Sequence, residues 1–321
     1  MENPPHRKNS GWNWFWGITA VIFLIVLLFI GAGIFFFASS VSNISSDGNR
    51  DFYFEYYGSG KGKIGFVELN YPIYSSEDIV RQFNKFRKDE SIKAILLRID
   101  SPGGGVAASQ EIYEIIKTTR DNGKPVIVSF GSIAASGGYL AACGGSLIVS
   151  NPGSITGSIG VIANFVSWKE LTDKIGIKDN TIKSGELKDA GNPFREMNQS
   201  DSLYFQDIVN NSFEQFFNVV KTERKIPEEK LRRIANGRVF TGQQALELGL
   251  VDKLGTLQDA VKIAAEMGGI EGEPVIVIEK RELSVFEKIL DLRSDNDLNE
   301  ISKYLKQEFI EAPILQYKFE R

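Results

Sequence analysis

The chain reads as an α/β protein, a mostly parallel sheet wrapped by helices behind an N-terminal transmembrane helix. Three observations predict this. Short apolar runs of strand length alternate with stretches of helical apolar spacing. Two glycine-rich stretches, Ser101–Gly105 and Gly131–Gly138, each follow a strand-like run. And from Asn9 to Ser46 there is no charged residue.

The uncharged block comes first in the chain. Trp12 to Ala38 is uncharged, predominantly apolar and longer than the roughly 20 residues a bilayer crossing needs. It also exceeds the ~7–15 apolar residues of a cleaved leader. Trp12, Trp14 and Trp16 gather at one end, where amphipathic rings favour the membrane interface. Arg7 and Lys8 precede the block and only Arg50 follows closely, so residues 1–11 are expected in the cytoplasm and the rest outside. Residues 39–62, rich in Ser, Gly and charge, read as a linker.

The body then runs in order. Lys63–Asn70 and Ile92–Asp100 read as strands, the second with the continuous apolar run of a sheet covered on both faces. Between them, Ile79, Val80, Phe83 and Phe86 mark a helix over 76–89, with Ser75 or Ser76 as its cap. A helix from Val106 to Asn122 follows, then strands at Val126–Ser129 and Ser146–Ser150, with Tyr139–Cys143 opening a helix between them. Both glycine-rich loops follow strands of one parallel sheet, so they meet at its carboxyl edge, where such folds place their sites.

Downstream, Lys169–Ile175 reads as helix and Lys178–Lys183 as strand. Ser200–Arg224 is a long amphipathic helix, followed by helices over 227–235, 241–248 and 256–267 and a strand at Glu273–Glu279. The last segment, 281–321, is charged and amphipathic.

Composition excludes several functions. The net charge is -4, and no basic stripe is interleaved with aromatics, so nucleic acid is not an expected partner. Cys143 is the single cysteine and His6 the single histidine. With His6 across the membrane, a Ser-His or Cys-His pair is out of reach, and a zinc site has too few ligands. Neither metal nor cofactor is expected.

Ser136 sits at a strand-to-helix turn among small residues, where a substrate backbone can approach closely. The N–H after it, at a helix start, suits a developing oxyanion. The competing reading is a plain turn in which Ser136 caps the helix. Ser101-Pro-Gly-Gly-Gly105 lacks the Gly-Lys-Ser/Thr of a phosphate loop and the spacing of a dinucleotide fingerprint. A nucleophilic Ser136 needs a base, and a neutral lysine is the remaining choice beside a carboxylate. Lys183 and Lys188 flank the Ser184-Gly185 turn, and spacing does not choose between them.

Five motifs carry a resemblance: Arg98-Ile-Asp-Ser-Pro-Gly-Gly-Gly105, Ala135-Ser-Gly-Gly-Tyr139, Thr156-Gly-Ser-Ile-Gly160, the Lys183–Asp189 stretch and Gly237-Arg-Val-Phe-Thr-Gly242. In this order they resemble the bacterial signal peptide peptidase A group of Ser-Lys endopeptidases, in its short, single-module form. The resemblance implies a Clp-protease/crotonase-like fold and a peptidase domain over 63–280. It implies Ser136 as nucleophile, Lys188 as general base, Ser158 orienting the lysine, and the N–H groups of Gly104 and Gly137 as oxyanion hole. It further implies an inner-membrane enzyme acting on remnant signal peptides and unfolded apolar peptides. Members form homo-oligomers that share sites between subunits, and the C-terminal segment is then an interface or a substrate-like tail. The rival readings are a crotonase-type acyl-CoA enzyme and a non-catalytic membrane scaffold.

Overall fold

A computed structural model of the chain describes residues 52–281 and 315–318, together with residues 16, 18, 19, 21, 23–25 and 27–31. Two compact units divide at residue 52. In the first, the described residues between Trp16 and Gly31 are helical and expose apolar side chains such as Phe23, Leu24 and Phe29. Among the described residues no helix is long and apolar enough to cross a membrane, and the span expected over 12–38 lies in large part outside them.

The second unit is a mixed α/β body. In chain order its strands and helices begin with β1 (Phe52–Tyr57), β2 (Lys63–Leu69), α1 (Glu77–Lys88), β3 (Ile92–Ser101), β4 (Gly103–Gly105) and α2 (Val106–Asp121). They continue with β5 (Val126–Ala135), α3 (Gly137–Ala142), β6 (Leu147–Ser150), β7 (Ile155–Gly157), β8 (Ile162–Ala163) and α4 (Lys169–Lys174). After a 3-10 turn at Glu186–Asp189 come α5 (Gln199–Arg224), α6 (Glu228–Ile234), β9 (Val239–Thr241), α7 (Gly242–Leu248) and β10 (Lys253–Leu254). The chain closes with α8 (Leu257–Met267), β11 (Val275–Arg281) and β12 (Leu315–Lys318).

The main sheet has the order β1-β11-β2-β3-β5-β6-β10, and β11, β2, β3, β5, β6 and β10 pair in parallel, as the alternation of strands and helices predicts. Its strands are apolar on both faces because both are covered. Ile95, Leu97 and Ile99 of β3 pack with Val126, Val128 and Phe130 of β5 against Phe83 of α1 and Ile112 and Ile116 of α2. The intervening Ala94, Leu96 and Ile127 face Ala260 and Ala264 of α8.

Five differences from the sequence reading matter. The stretch read as linker already carries a strand, β1. Lys178–Lys183 is exposed throughout and forms no strand, having no neighbour to pair with among the described residues. Ser76 is the N-cap of α1, yet its side chain makes no cap bond and donates instead to Glu111. Strand β5 continues to Ala135, through residues that read as loop, because Asp100 accepts from the Ile133 N–H at 3.0 Å. Finally β11 is not the last strand, since β12 follows near the C-terminus.

Candidate active site

The carboxyl edge of β3 and β5 holds the site. Arg98 ties the two strands there, donating to Ser129 Oγ at 2.8 Å and to the Phe130 carbonyl at 2.7 Å. Asp100 holds β5 beyond the register shift at Ile99/Ser101. The Arg98-Ile-Asp stretch therefore braces the strand that ends in Ser136.

Ser136 has φ 54° and ψ -119°, a backbone region that side chains rarely adopt. Such a conformation costs on the order of 1–3 kcal/mol and persists only where the surroundings fix it. Here the Ser136 N–H donates to the Gly157 carbonyl at 2.8 Å, and its carbonyl accepts from Leu140 N–H at 2.9 Å. Behind it Tyr139 is fully buried, with its hydroxyl on the Leu250 carbonyl at 2.8 Å. The Ser136 side chain makes no cap bond to α3, which removes the capping reading. It is 1% exposed, and its Oγ has no hydrogen-bond partner among the described residues. A buried hydroxyl without a partner is costly, so the position is not explained by stability.

The groove over Ser136 is filled by the chain itself. Strand β12 lies antiparallel to β4 on one side and β8 on the other, with Tyr317 opposite Gly104 and Gln316 opposite Ile162. Gly103 carbonyl and Gly105 N–H both bond to Ile73, so strand alternation turns the N–H of Gly104 to the other edge, toward Tyr317. The Tyr317 carbonyl oxygen lies against Gly103 and Gly137. A side chain on Gly103 would collide with it and stand 2.6 Å from Gly137 N, and one on Gly137 would stand 3.1 Å from it. Gly103 and Gly137 thus border one carbonyl oxygen, Gly137 being the residue after Ser136.

The Tyr317 side chain is fully buried against Phe216, ring centroids 4.8 Å apart, and its hydroxyl donates to the Ser212 carbonyl at 2.8 Å. Burial pushes its phenol up to about 12. Sequence reasoning missed this strand. Its only signal is the short alternation Leu315-Gln316-Tyr317 after Pro313.

Of the other expected residues, Ser158 adjoins this corner, following Gly157, and Lys188 is not bonded to it. Ser158 is buried beside the corner, at φ 50°, and its N–H bonds to the Arg238 carbonyl at 2.8 Å. It lines a cavity of about 520 Å³ with Gly160, Val161, Val209 and Phe213. Lys188 stands on the Glu186–Asp189 turn, exposed. Its backbone N–H donates to the Gly185 carbonyl at 3.2 Å, but its amine makes no hydrogen bond or ion pair with a described residue, so it is not bonded to Ser136 within one chain. Lys183, the other lysine of that stretch, is engaged: its amine donates to Asp189 at 2.6 Å and to the Glu186 carbonyl at 2.9 Å. Cys143 is buried, which pushes its thiol up to about 12, and it belongs to the core.

The family model of peptidase family S49 matches residues 118–271, and that of Clp protease matches residues 64–149. A Synechocystis sp. protein that bears a provisional protease name is 42% identical over 218 residues, which are 68% of this chain and 78% of that protein. A protein of Enterococcus faecium, provisionally named a signal peptide peptidase, is 35% identical over 188 residues, 59% of this chain and 55% of its own. A chloroplastic serine protease of Arabidopsis thaliana is 33% identical over 196 residues, 61% of this chain and 29% of its own. With the Clp-protease-like sheet and the strained serine at its edge, these likenesses make the chain a member of peptidase family S49, a serine peptidase of the signal peptide peptidase A type.

Proposed function

We propose that the protein is a membrane-anchored endopeptidase that uses a Ser136–Lys188 dyad to degrade remnant signal peptides and other unfolded apolar segments. The observation that carries this reading is β12: an extended peptide pairs with both β4 and β8 and brings the Tyr317 carbonyl against Gly103 and Gly137, next in the chain to Ser136. Main-chain pairing of this kind accepts many sequences, with side-chain pockets adding selectivity.

In the proposed reaction a neutral Lys188 amine takes the proton of Ser136 Oγ as that oxygen attacks the peptide carbonyl. The N–H groups of Gly104 and Gly137 hold the oxyanion, each donor contributing roughly 3–4 kcal/mol to the barrier in comparable sites. Lys188 then gives the proton to the leaving amine. Water attacks the acyl-enzyme, and Lys188 takes its proton in turn. Ser158, buried beside the corner, orients the amine.

Lys188 reaches the serine of a neighbouring copy in a homo-oligomer. Two features support this. Its amine has no bonding partner among the described residues, and the segment around it exposes Trp168, Leu171, Ile175, Ile182 and Leu203. Large exposed apolar side chains gathered in one segment fit an interaction surface. The apolar stretch from Trp12 to Ala38 supports a single-pass anchor in the inner membrane, with the peptidase body on the extracytoplasmic side.

The test uses the detergent-solubilised full chain and a quenched fluorogenic peptide of apolar residues. Ser136→Ala and Lys188→Ala are each expected to abolish cleavage. Retained turnover in either variant rejects the dyad.

A further inference from the structure

The residue next to Lys188 is a carboxylate, and the structure keeps it occupied. Asp189 Oδ1 accepts from Lys183 Nζ at 2.6 Å and from an Arg195 terminal nitrogen at 3.0 Å. Its Oδ2 accepts from Arg195 Nε at 3.0 Å, and its backbone carbonyl accepts from Arg195 at 3.0 Å. On its other side Arg195 grips Asp201, whose side chain is fully buried in the first turn of α5, inside a capping box with Asn198. Arg195 and Lys183 together hold the Asp189 carboxyl down to about 2, and Arg195 also keeps Asp201 below the usual carboxylate range. One guanidinium thus bridges the Lys188 turn to the start of the longest helix.

This matters for a lysine base. Only the neutral amine accepts a proton, and a free carboxylate beside it would stabilise the ammonium instead. The charged groups of this stretch are Glu186 and Asp189 on the turn with Lys188, Lys178, Asp179 and Lys183 before it, and Arg195, Glu196 and Asp201 after it. Asp179 is taken by Thr181 and by Asn192. The bidentate grip of Arg195 is what a lysine at that position could not reproduce.

We propose that Arg195 is a positioning residue for the Lys188 base: with Lys183 it holds the Asp189 carboxylate turned away from the amine and locks the turn that presents it. The inference rests on the Lys188 reading above.

The test is the pH dependence of kcat/KM for the full-length, detergent-solubilised enzyme with the same fluorogenic peptide. Arg195→Met is expected to move the rising limb to higher pH by about one unit, the low end of what a nearby opposite charge does. Adding Asp189→Asn to Arg195→Met removes the freed charge and is expected to return the limb to near its wild-type position. Arg195→Lys is expected to give a smaller shift in the same direction. A limb that stays put in Arg195→Met while the rate falls means a merely structural role and overturns the inference. So does a limb that stays high in the double variant. Should Arg195→Met fail to assemble, Arg195→Lys decides alone, an unmoved limb being the overturning result. Turnover by Lys188→Ala rejects the dyad itself, whereas a dead Lys188→Ala with an unmoved limb in the Arg195 variants rejects only the positioning role.

Discussion

The corner around Ser136 and the arm around Lys188 are built on opposite plans. Ser136 is buried at the end of a ten-residue strand, and its strained backbone is fixed from Gly157 on one side and Leu140 on the other. Lys188 stands exposed on a single 3-10 turn, in a segment whose apolar side chains face outward. In the proposed dyad the first half is held by its own chain. The second is tied locally by Arg195, and its amine has no bonding partner among the described residues. A peptidase divided in this way would be silent as a monomer and competent only when copies meet.

The largest effect expected is from Ser136→Ala, a fall of about 10⁴-fold or more in kcat/KM by analogy with serine nucleophiles elsewhere. Thermal stability should hold or rise slightly, because the deleted hydroxyl has no partner. A melting curve beside the kinetic assay separates the two effects. Mixing subunits tests the division of the proposed dyad most directly. Ser136→Ala and Lys188→Ala are each inactive alone, and co-assembled in equal amounts they should regain about a quarter of the sites, since a head-to-tail ring then pairs an intact serine with an intact lysine in that fraction. No recovered turnover in verified mixed oligomers would place base and nucleophile in one chain.

Gly103→Ala is expected to lower kcat/KM by roughly a hundredfold, comparable with losing one oxyanion donor, since the new methyl group would meet Gly137 N and the substrate carbonyl. Tyr317→Ala should act the other way. Deleting a buried aromatic ring typically costs about 3–5 kcal/mol of local binding, so the tail loosens and cleavage of added peptide rises several-fold. The smallest effect is on pH stability. The Asp189 carboxyl is depressed in the folded protein, so its contribution is fully present above the ordinary aspartate range near 4 and is lost as pH falls toward about 2. Hydrogen exchange at Lys183–Arg195 should therefore be unchanged from pH 7 to 5 and quicken, relative to the intrinsic rate, only below about 4.

Much of this was legible from residue pattern. The apolar runs of β2, β3, β5 and β6 announce covered parallel strands, and the small residues around Ser136 announce a tight strand-to-helix turn. What was not legible depends on contacts between distant residues. The extension of β5 through Gly131–Ala135 rests on Asp100, thirty-odd positions earlier in the chain. Strand β12 is four residues long, too short for a periodic signal, and gains its order from the groove it enters. The strand expected at Lys178–Lys183 has the right composition but no partner among the described residues. The Asp189–Arg195–Asp201 bridge joins residues at spacings of six, a distance that no helical or strand period links.

Strand β12 belongs to the same chain as the groove it pairs with. An occupant tethered to its own site is present at a fixed local concentration, whatever the amount of protein. Dilution does not remove it, and a visiting peptide must outcompete it in every encounter. Such an occupant favours peptides at high local concentration over scarce, freely diffusing ones.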